Sequence, residues 1–254
     1  MEPLVIKGMP IGQGRPKIII SLMHAEAEQA CATIEDGKLA GVDCFEWRGD
    51  FCRNVHDVAK MVEDARLIAG SVPRNPLLFT FRSVDQGGRM DLPVAEYVAL
   101  NEALVESGCI DMVDIESWIG DAAMSDLIGH AHAHGVATVV SYHNFAGTPQ
   151  TDWMVSLLTH MADLGADVPK IAVMANTAAD TLRLLAATEE VARVHTEKPL
   201  LTMAMGKQGS ISRLSGELFG SALTFCALEA SSAPGQVDVA QARLIMDAFH
   251  DVMA

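Results

Sequence analysis

Lys170 stands alone among apolar and small residues in Val168–Met174 (VPKIAVM). The run follows Gly165 and precedes a helix-like segment, Thr177–Thr188, so it reads as a buried strand. A lysine there must reach water along its stem, find a partner, or lose its charge. A neutral amine attacks carbonyl carbons. Strand side chains alternate between faces, and parity sorts the other chemistry-bearing residues. Ser21 shares a face with Ile19 and Met23, and Glu46 shares one with Arg48, opposite Phe45 and Trp47. Arg82 lies with Leu78 and Thr80, opposite Phe79 and Phe81, while His143 lies with Val139 and Ser141, opposite Val140 and Tyr142.

These side chains define a chemistry. Burial and the like charges of Arg48 and Arg82 each favour an uncharged Lys170 amine, which condenses with a ketone to an iminium and acidifies the adjacent carbon. His143, titrating near neutrality, removes that proton and returns it to a departing hydroxyl. Bidentate arginines suit a substrate carboxylate. A hydroxylated keto acid losing water fits the set, and so does an aldol substrate. Other candidates are Met203 and Met205, as interior filling that also meets substrate, and the polar loop Ser231–Gln236, as a lid. The loop Gly206–Ser210 stands where barrels often bind phosphate. His130, His132 and His134 offer an i, i+4 pair at a helix end. They read as a solvated last turn favourable to the helix dipole, because no carboxylate partner is evident.

The elements that must position these residues repeat regularly. Strands are expected at Lys17–Met23, Val42–Arg48, Pro76–Arg82, Met112–Glu116, Ala137–His143, Val168–Met174, Pro199–Met205 and Ala222–Leu228. Helices are expected up to Ala40, at Val55–Ala69, Val94–Glu106, Ala122–His134, Asp152–Leu164 and Thr177–Thr188, near Arg213–Phe219, and at Val239–Val252. Eight alternations imply parallel strands with crossover helices, and in one chain of 254 residues they point to a (β/α)8 barrel. The outward face of such a barrel packs on helices, so the polar set faces inward, and most of it lies near strand C-terminal ends. Lys170 sits early in its strand, and its stem must carry the amine upward. Residues 1–16 read as a hairpin closing the barrel bottom, within a single domain spanning 1–254.

Composition sets limits on function. A net charge of −15 argues against nucleic-acid and anionic-membrane partners, and no apolar run is long enough to span a bilayer. Five cysteines without a CxxC pair read as buried thiols of a cytoplasmic protein.

The chain resembles a type I 3-dehydroquinate dehydratase, the Schiff-base enzyme of the shikimate pathway. The resemblance rests on PKIIISL, FEWRGDF, LLFTFRS followed by QGG, VVSYHNF, DVPKIAVM, MAMGKQGSISR and SSAPGQ. It implies dehydration of 3-dehydroquinate to 3-dehydroshikimate, with Lys170 forming the imine and His143 shuttling protons. It also implies that Glu46, Arg48 and Arg82 contact ring hydroxyls and hold the pocket's charge. Arg213, Ser232 and Gln236 would clamp the carboxylate, and Ser21, Met203, Met205 and Phe225 would line the ring site. The resemblance further implies no metal or organic cofactor and a homodimer. Gln86 stands where the family usually has a glutamate thought to polarise the histidine, so His143 is expected to be a weaker base here. A class I aldolase, and a binder that lost activity at Gln86, are the alternative readings.

Overall fold

The structure, a computed structural model, describes residues 2–35, 39, 41–228 and 233–253. A hairpin opens the chain: β1 (Leu4–Ile6) pairs antiparallel with β2 (Met9–Ile11). Its two-residue turn places Lys7 at φ 48° and Gly8 at φ 77°, the left-handed pair that lets a tight turn follow strand twist. Ile6 and Ile11 then project into an apolar cluster with Cys44, Leu78, Met112, Val139 and Val168, and Lys7 pairs with Asp111 at 2.8 Å.

Eight parallel strands follow, each register pinned by the strand before it. They are β3 (Lys17–Leu22), β4 (Cys44–Arg48), β5 (Leu77–Thr80), β6 (Met112–Glu116), β7 (Ala137–Asn144), β8 (Val168–Met174), β9 (Leu201–Met205) and β10 (Leu223–Phe225). Their spatial order is β10-β3-β4-β5-β6-β7-β8-β9. The ends meet through a Leu200–Ser221 bridge and an Ala222 N–H to Leu200 carbonyl bond of 2.7 Å, so the sheet closes into the expected (β/α)8 barrel. Helices α1 (Ala27–Glu35), α2 (Val58–Ser71), α3 (Val94–Glu106), α4 (Asp121–Ala133), α5 (Thr151–Asp163), α6 (Ala178–Glu190), α7 (Gly216–Phe219) and α8 (Val239–Met253) surround it. No described helix is long and apolar enough to cross a membrane.

Several boundaries differ from the sequence expectation, for local reasons. α2 begins at Val58, not Val55, because the Asp57 carboxylate caps it by accepting the Lys60 N–H at 3.1 Å. α6 begins after Thr177, whose hydroxyl and the Asp180 side chain form a reciprocal capping box. The strands at 76–82 and 222–228 shorten to 77–80 and 223–225. Instead of a helix near Arg213–Phe219, a 3-10 segment runs over Lys207–Arg213, ahead of the four-residue α7. The expected first-helix end at Ala40 lies outside the described residues.

Parity sorts the barrel wall as anticipated. Phe45, Trp47, Phe79, Phe81 and Val140 face outward onto the helices, with Trp47 and Phe79 meeting edge-on at 5.1 Å between ring centroids. Tyr142, on the same outward face, packs against Trp153. Inward residues are apolar at the hairpin end and polar toward the strand C-termini, so burying the wall leaves one end open to chemistry. Cys31, Cys44, Cys52 and Cys226 are buried thiols, whereas Cys109 is partly exposed. Burial pushes the Cys52 thiol up to about 12, which keeps it inert.

Candidate active site at the strand C-termini

A cavity of about 440 Å³, counting its open mouth, sits at the polar end of the barrel. Lys170, His143, Gln86, Glu46, Arg48 and Arg82 line it from the strands and the loop after β5. Met203, Met205, Arg213, Phe225 and Gln236 line it from the last strands and loops. Ser21 joins the cavity wall through Glu46, donating its hydroxyl to that carboxylate at 2.5 Å. Thr80 donates to the other Glu46 oxygen at 2.9 Å. Of the sequence-derived set, only Ser232 lies outside the described residues.

The stagger of the barrel explains how an early strand position serves an end-of-strand site. Lys170, third in β8, is in register with Ser141, fifth in β7, which is in register with Glu116 at the close of β6. Strand tilt therefore places Lys170 beside residues higher on its neighbours. The lysine is 2% exposed, and its ammonium lies 4.9 Å from the Phe225 ring centroid. It donates to Asp114 Oδ2 at 2.8 Å.

Asp114 was not singled out from the sequence, and it is the hub of the network. Its Oδ2 also accepts from Arg82 Nη2 at 2.8 Å, and its Oδ1 accepts from the Ser141 hydroxyl at 2.6 Å. Arg82 Nη1 donates in turn to Glu116 at 2.7 Å and to Ser141 at 2.8 Å. Tyr97 and Trp118 fix the end of β6 from outside: Glu116 N–H donates to Tyr97 Oη at 2.9 Å, and Trp118 Nε1 donates to Glu116 Oε2 at 2.5 Å. Asp114 and Glu116 share parity with Met112 in β6, so two acids on one face of a buried strand was the available signal.

This wiring corrects two expectations. Arg48 is held bidentately by Asp50, at 2.7 and 2.8 Å, and Arg82 by Asp114 and Glu116, so neither fork is open to a substrate carboxylate. The charge beside Lys170 is also mixed. Burial is the largest influence and lowers the lysine pKa; Asp114 opposes it, and Arg82 adds to the lowering. Burial likewise works against the Asp114 carboxylate, but Arg82 and Lys170 outweigh it and hold the carboxyl below its usual range.

Arg213 is the contrasting cation. It is 2% exposed and has no carboxylate partner among the described residues. Its Nη atoms make long contacts of 3.5 Å to Met203 Sδ, 3.5 Å to the Phe225 carbonyl and 3.2 Å to the Pro234 carbonyl, and its Nε has no partner. Burial pulls this guanidinium down to about 10. A buried charge left without a counter-ion is a seat for an anion.

His143 has a different arrangement from the one anticipated. Gln86 Oε1 accepts from the His143 main-chain N–H at 2.6 Å and does not polarise the ring. The ring's Nδ1 is buried without a hydrogen-bond partner. Burial, then the charges of Arg82, Lys170 and Arg48, hold the imidazole well below its usual value, so it is a neutral base at pH 7. Gly87 and Gly88 make this turn possible. A Cβ on Gly88 would lie 1.7 Å from the Arg82 carbonyl oxygen, and one on Gly87 (φ 89°) would meet the Phe145 ring at 2.4 Å. The described part of the expected lid, from Ala233, docks on the cavity rim, and the Pro234 carbonyl accepts the Gly206 N–H at 3.1 Å. That bond occupies the first amide of the loop considered for phosphate.

The arrangement can form an imine at Lys170, move a proton at His143 and hold an anion at Arg213. Comparison with known proteins identifies the family. The family model for Type I 3-dehydroquinase matches residues 18–252. A 3-dehydroquinate dehydratase of Salmonella paratyphi B is 43% identical over 250 residues, covering 98% of this chain and 99% of that protein. The structure of a type I 3-dehydroquinate dehydratase from Clostridium difficile with covalently modified comenic acid superposes with a TM-score of 0.95 at 37% identity, covering 99% of this chain and all of that one. The Geobacillus kaustophilus 3-dehydroquinate dehydratase superposes with a TM-score of 0.94 at 35% identity, covering 98% of this chain and 97% of that one. The chain belongs to the type I 3-dehydroquinase family.

Proposed function

We propose that this chain is a hydro-lyase that converts 3-dehydroquinate to 3-dehydroshikimate through an imine on Lys170, with His143 moving the protons. The Lys170 amine attacks the substrate ketone and expels its oxygen as water, giving an iminium. The neutral imidazole of His143 takes a proton from the carbon next to the iminium; that C–H pair becomes a C=C bond as the C=N pair moves onto nitrogen. The resulting enamine expels the β-hydroxyl, which leaves as water with the proton carried by His143. Water then hydrolyses the iminium, frees the product and restores the amine. Burial and Arg82 lower the Lys170 pKa against the opposing pull of Asp114, which eases loss of the proton before attack, and burial keeps the imidazole uncharged.

Arg213 seats the substrate carboxylate, supported by Gln236 and Ser232. Glu46 and Arg48 present hydrogen-bonding atoms to the ring hydroxyls. Arg82 holds Asp114 and Glu116 in place, and Ser21, Met203, Met205 and Phe225 shape the ring site. Gln86 fixes the main chain beneath His143. The observation that carries this reading is a wholly buried amine in a cavity that also holds an unpartnered imidazole nitrogen and a guanidinium with no acid among the described residues.

The test is reductive trapping. Borohydride added with 3-dehydroquinate should leave a mass adduct on the peptide containing Lys170, and Lys170→Met should give neither adduct nor product. An unmodified Lys170, or turnover by Lys170→Met, would end the proposal.

A further inference from the structure

A second cluster of chemistry-bearing side chains lies at the opposite end of the barrel. α3 ends at Glu106, and the last turn of α4 carries His130, with His134 at its C-cap. These helix ends adjoin the starts of β6 and β7, so they sit at the hairpin end and away from the cavity. The structure supplies the carboxylate that the histidine-rich turn lacks in sequence, because Glu106 Oε1 lies 3.4 Å from His130 Nε2.

Three features make this more than an ion pair. One ligand atom from each of Glu106, His130 and His134 lies within 4.8 Å of the others. Two ligands about 2.0–2.1 Å from a tetrahedral zinc stand roughly 3.4 Å apart, which is the Glu106–His130 separation. His130 Nε2 is shielded from solvent and makes no hydrogen bond, although the carboxylate is close, so the pair is spaced for a shared ion and misaligned for a direct bond. The tautomer of His134 is also set. Its Nδ1 lies 2.9 Å from the His130 carbonyl oxygen, which accepts the ring N–H and leaves the Nε2 lone pair free. A backbone carbonyl orients metal-binding imidazoles in the same way. The two rings lie 4.6 Å apart between centroids. Two helix C-termini converge here, and their dipoles favour a cation.

We propose that Glu106, His130 and His134 bind a late first-row divalent ion of the zinc type, leaving one position to water. Two imidazole donors disfavour magnesium and calcium. The ion clamps α3 to α4. At the end of the barrel remote from the catalytic residues, such a clamp acts on stability and not on turnover.

Cobalt(II) added to the full chain tests this. Wild type should develop the visible d–d bands of low-coordinate cobalt, and zinc should displace them. His130→Ala and His134→Ala should each lose the bands, and Glu106→Gln should weaken cobalt binding at least about tenfold. His132→Ala, which removes a neighbouring ring bonded to Asp167 at 2.8 Å, should leave them unchanged. Zinc should raise the melting temperature of wild type, not that of His134→Ala, and leave turnover unchanged. The side-chain nitrogen resonances of His130 and His134 should move with zinc in wild type, which removes any dependence on variant folding. Bands absent from wild type, surviving both alanine variants or lost in His132→Ala would overturn the site. So would a thiolate charge-transfer band from Cys109, and an unchanged melting temperature would overturn the clamp.

Discussion

Replacing Arg213 by methionine sets folding stability against substrate binding, because the two respond in opposite directions. The guanidinium is buried without a carboxylate among the described residues, and burial pulls its pKa down to about 10. That displacement of about two and a half pH units, at ~1.36 kcal/mol each, puts the cost of the buried charge at roughly 3 kcal/mol. The contacts that offset it are long, at 3.2 to 3.5 Å, and a methionine stem keeps most of the packing against Met203 and Phe225. Subtracting about 1–2 kcal/mol for those contacts leaves a net gain in stability of roughly 1–2 kcal/mol for Arg213→Met. For a chain of this size the melting temperature should rise by roughly 2–8 °C.

Binding should move the other way. Truncating one partner of a buried charge pair costs about 2–5 kcal/mol, so kcat/KM for 3-dehydroquinate should fall by roughly 30-fold to 4,000-fold. Denaturant melts at pH 7, with product absorbance followed against substrate concentration, give both quantities from one preparation. A destabilised Arg213→Met, or a KM that does not rise, would show that the guanidinium is not a strained seat for the carboxylate.

Asp114→Asn leaves Arg82 and Lys170 short of a counter-charge, and breaking such a buried pair should cost about 3–5 kcal/mol in denaturant melts. Asp114 raises the Lys170 pKa, so the pH dependence of borohydride trapping should shift to lower pH in the variant; a shift upward would contradict the network. The carboxyl of Asp114 is held below its ordinary 3.8, so its contribution is complete above that value and lost as the pH falls beneath it. The stability gap between wild type and Asp114→Asn should accordingly narrow below pH of about 3.8. Gln86→Glu keeps the acceptor for the His143 main-chain N–H and adds a negative charge near the ring, which raises the imidazole pKa. The acid limb of kcat/KM should move to higher pH, with kcat changing less than about tenfold; an unmoved limb would refute the electrostatic part of this reasoning. Gly88→Ala should yield no folded protein in expression and circular dichroism, because its Cβ would overlap the Arg82 carbonyl.

Side-chain direction was legible in the sequence because strands have a period of two, which any single strand displays on its own. FEWR, LLFTFR and VVSYH each divide into an aromatic or branched outward set and an inward set that turns polar toward the strand end, and the barrel obeys that division. Pairing was less legible, for a physical reason. Lys170 meets Asp114 across 56 positions, Arg82 meets Ser141 across 59 and Gln86 reaches His143 across 57, so no local pattern records these contacts. They arise from barrel stagger, which brings the early Lys170 level with the end of β6. Glu106 reaches His130 in the same way, by the convergence of two helix ends that the sequence separates by a whole strand. The Arg48–Asp50 fork was local and still went unread, since adjacent charges ordinarily mark a solvated turn and only the burial of both shows that they satisfy each other. With Arg48 and Arg82 already neutralised, the one cation left to attract a substrate anion is Arg213 among the described residues of this cavity. Among the described guanidiniums lining this cavity, Arg48 and Arg82 are each held by buried carboxylates and Arg213 is not, so a substrate anion that enters is drawn to the Arg213 side.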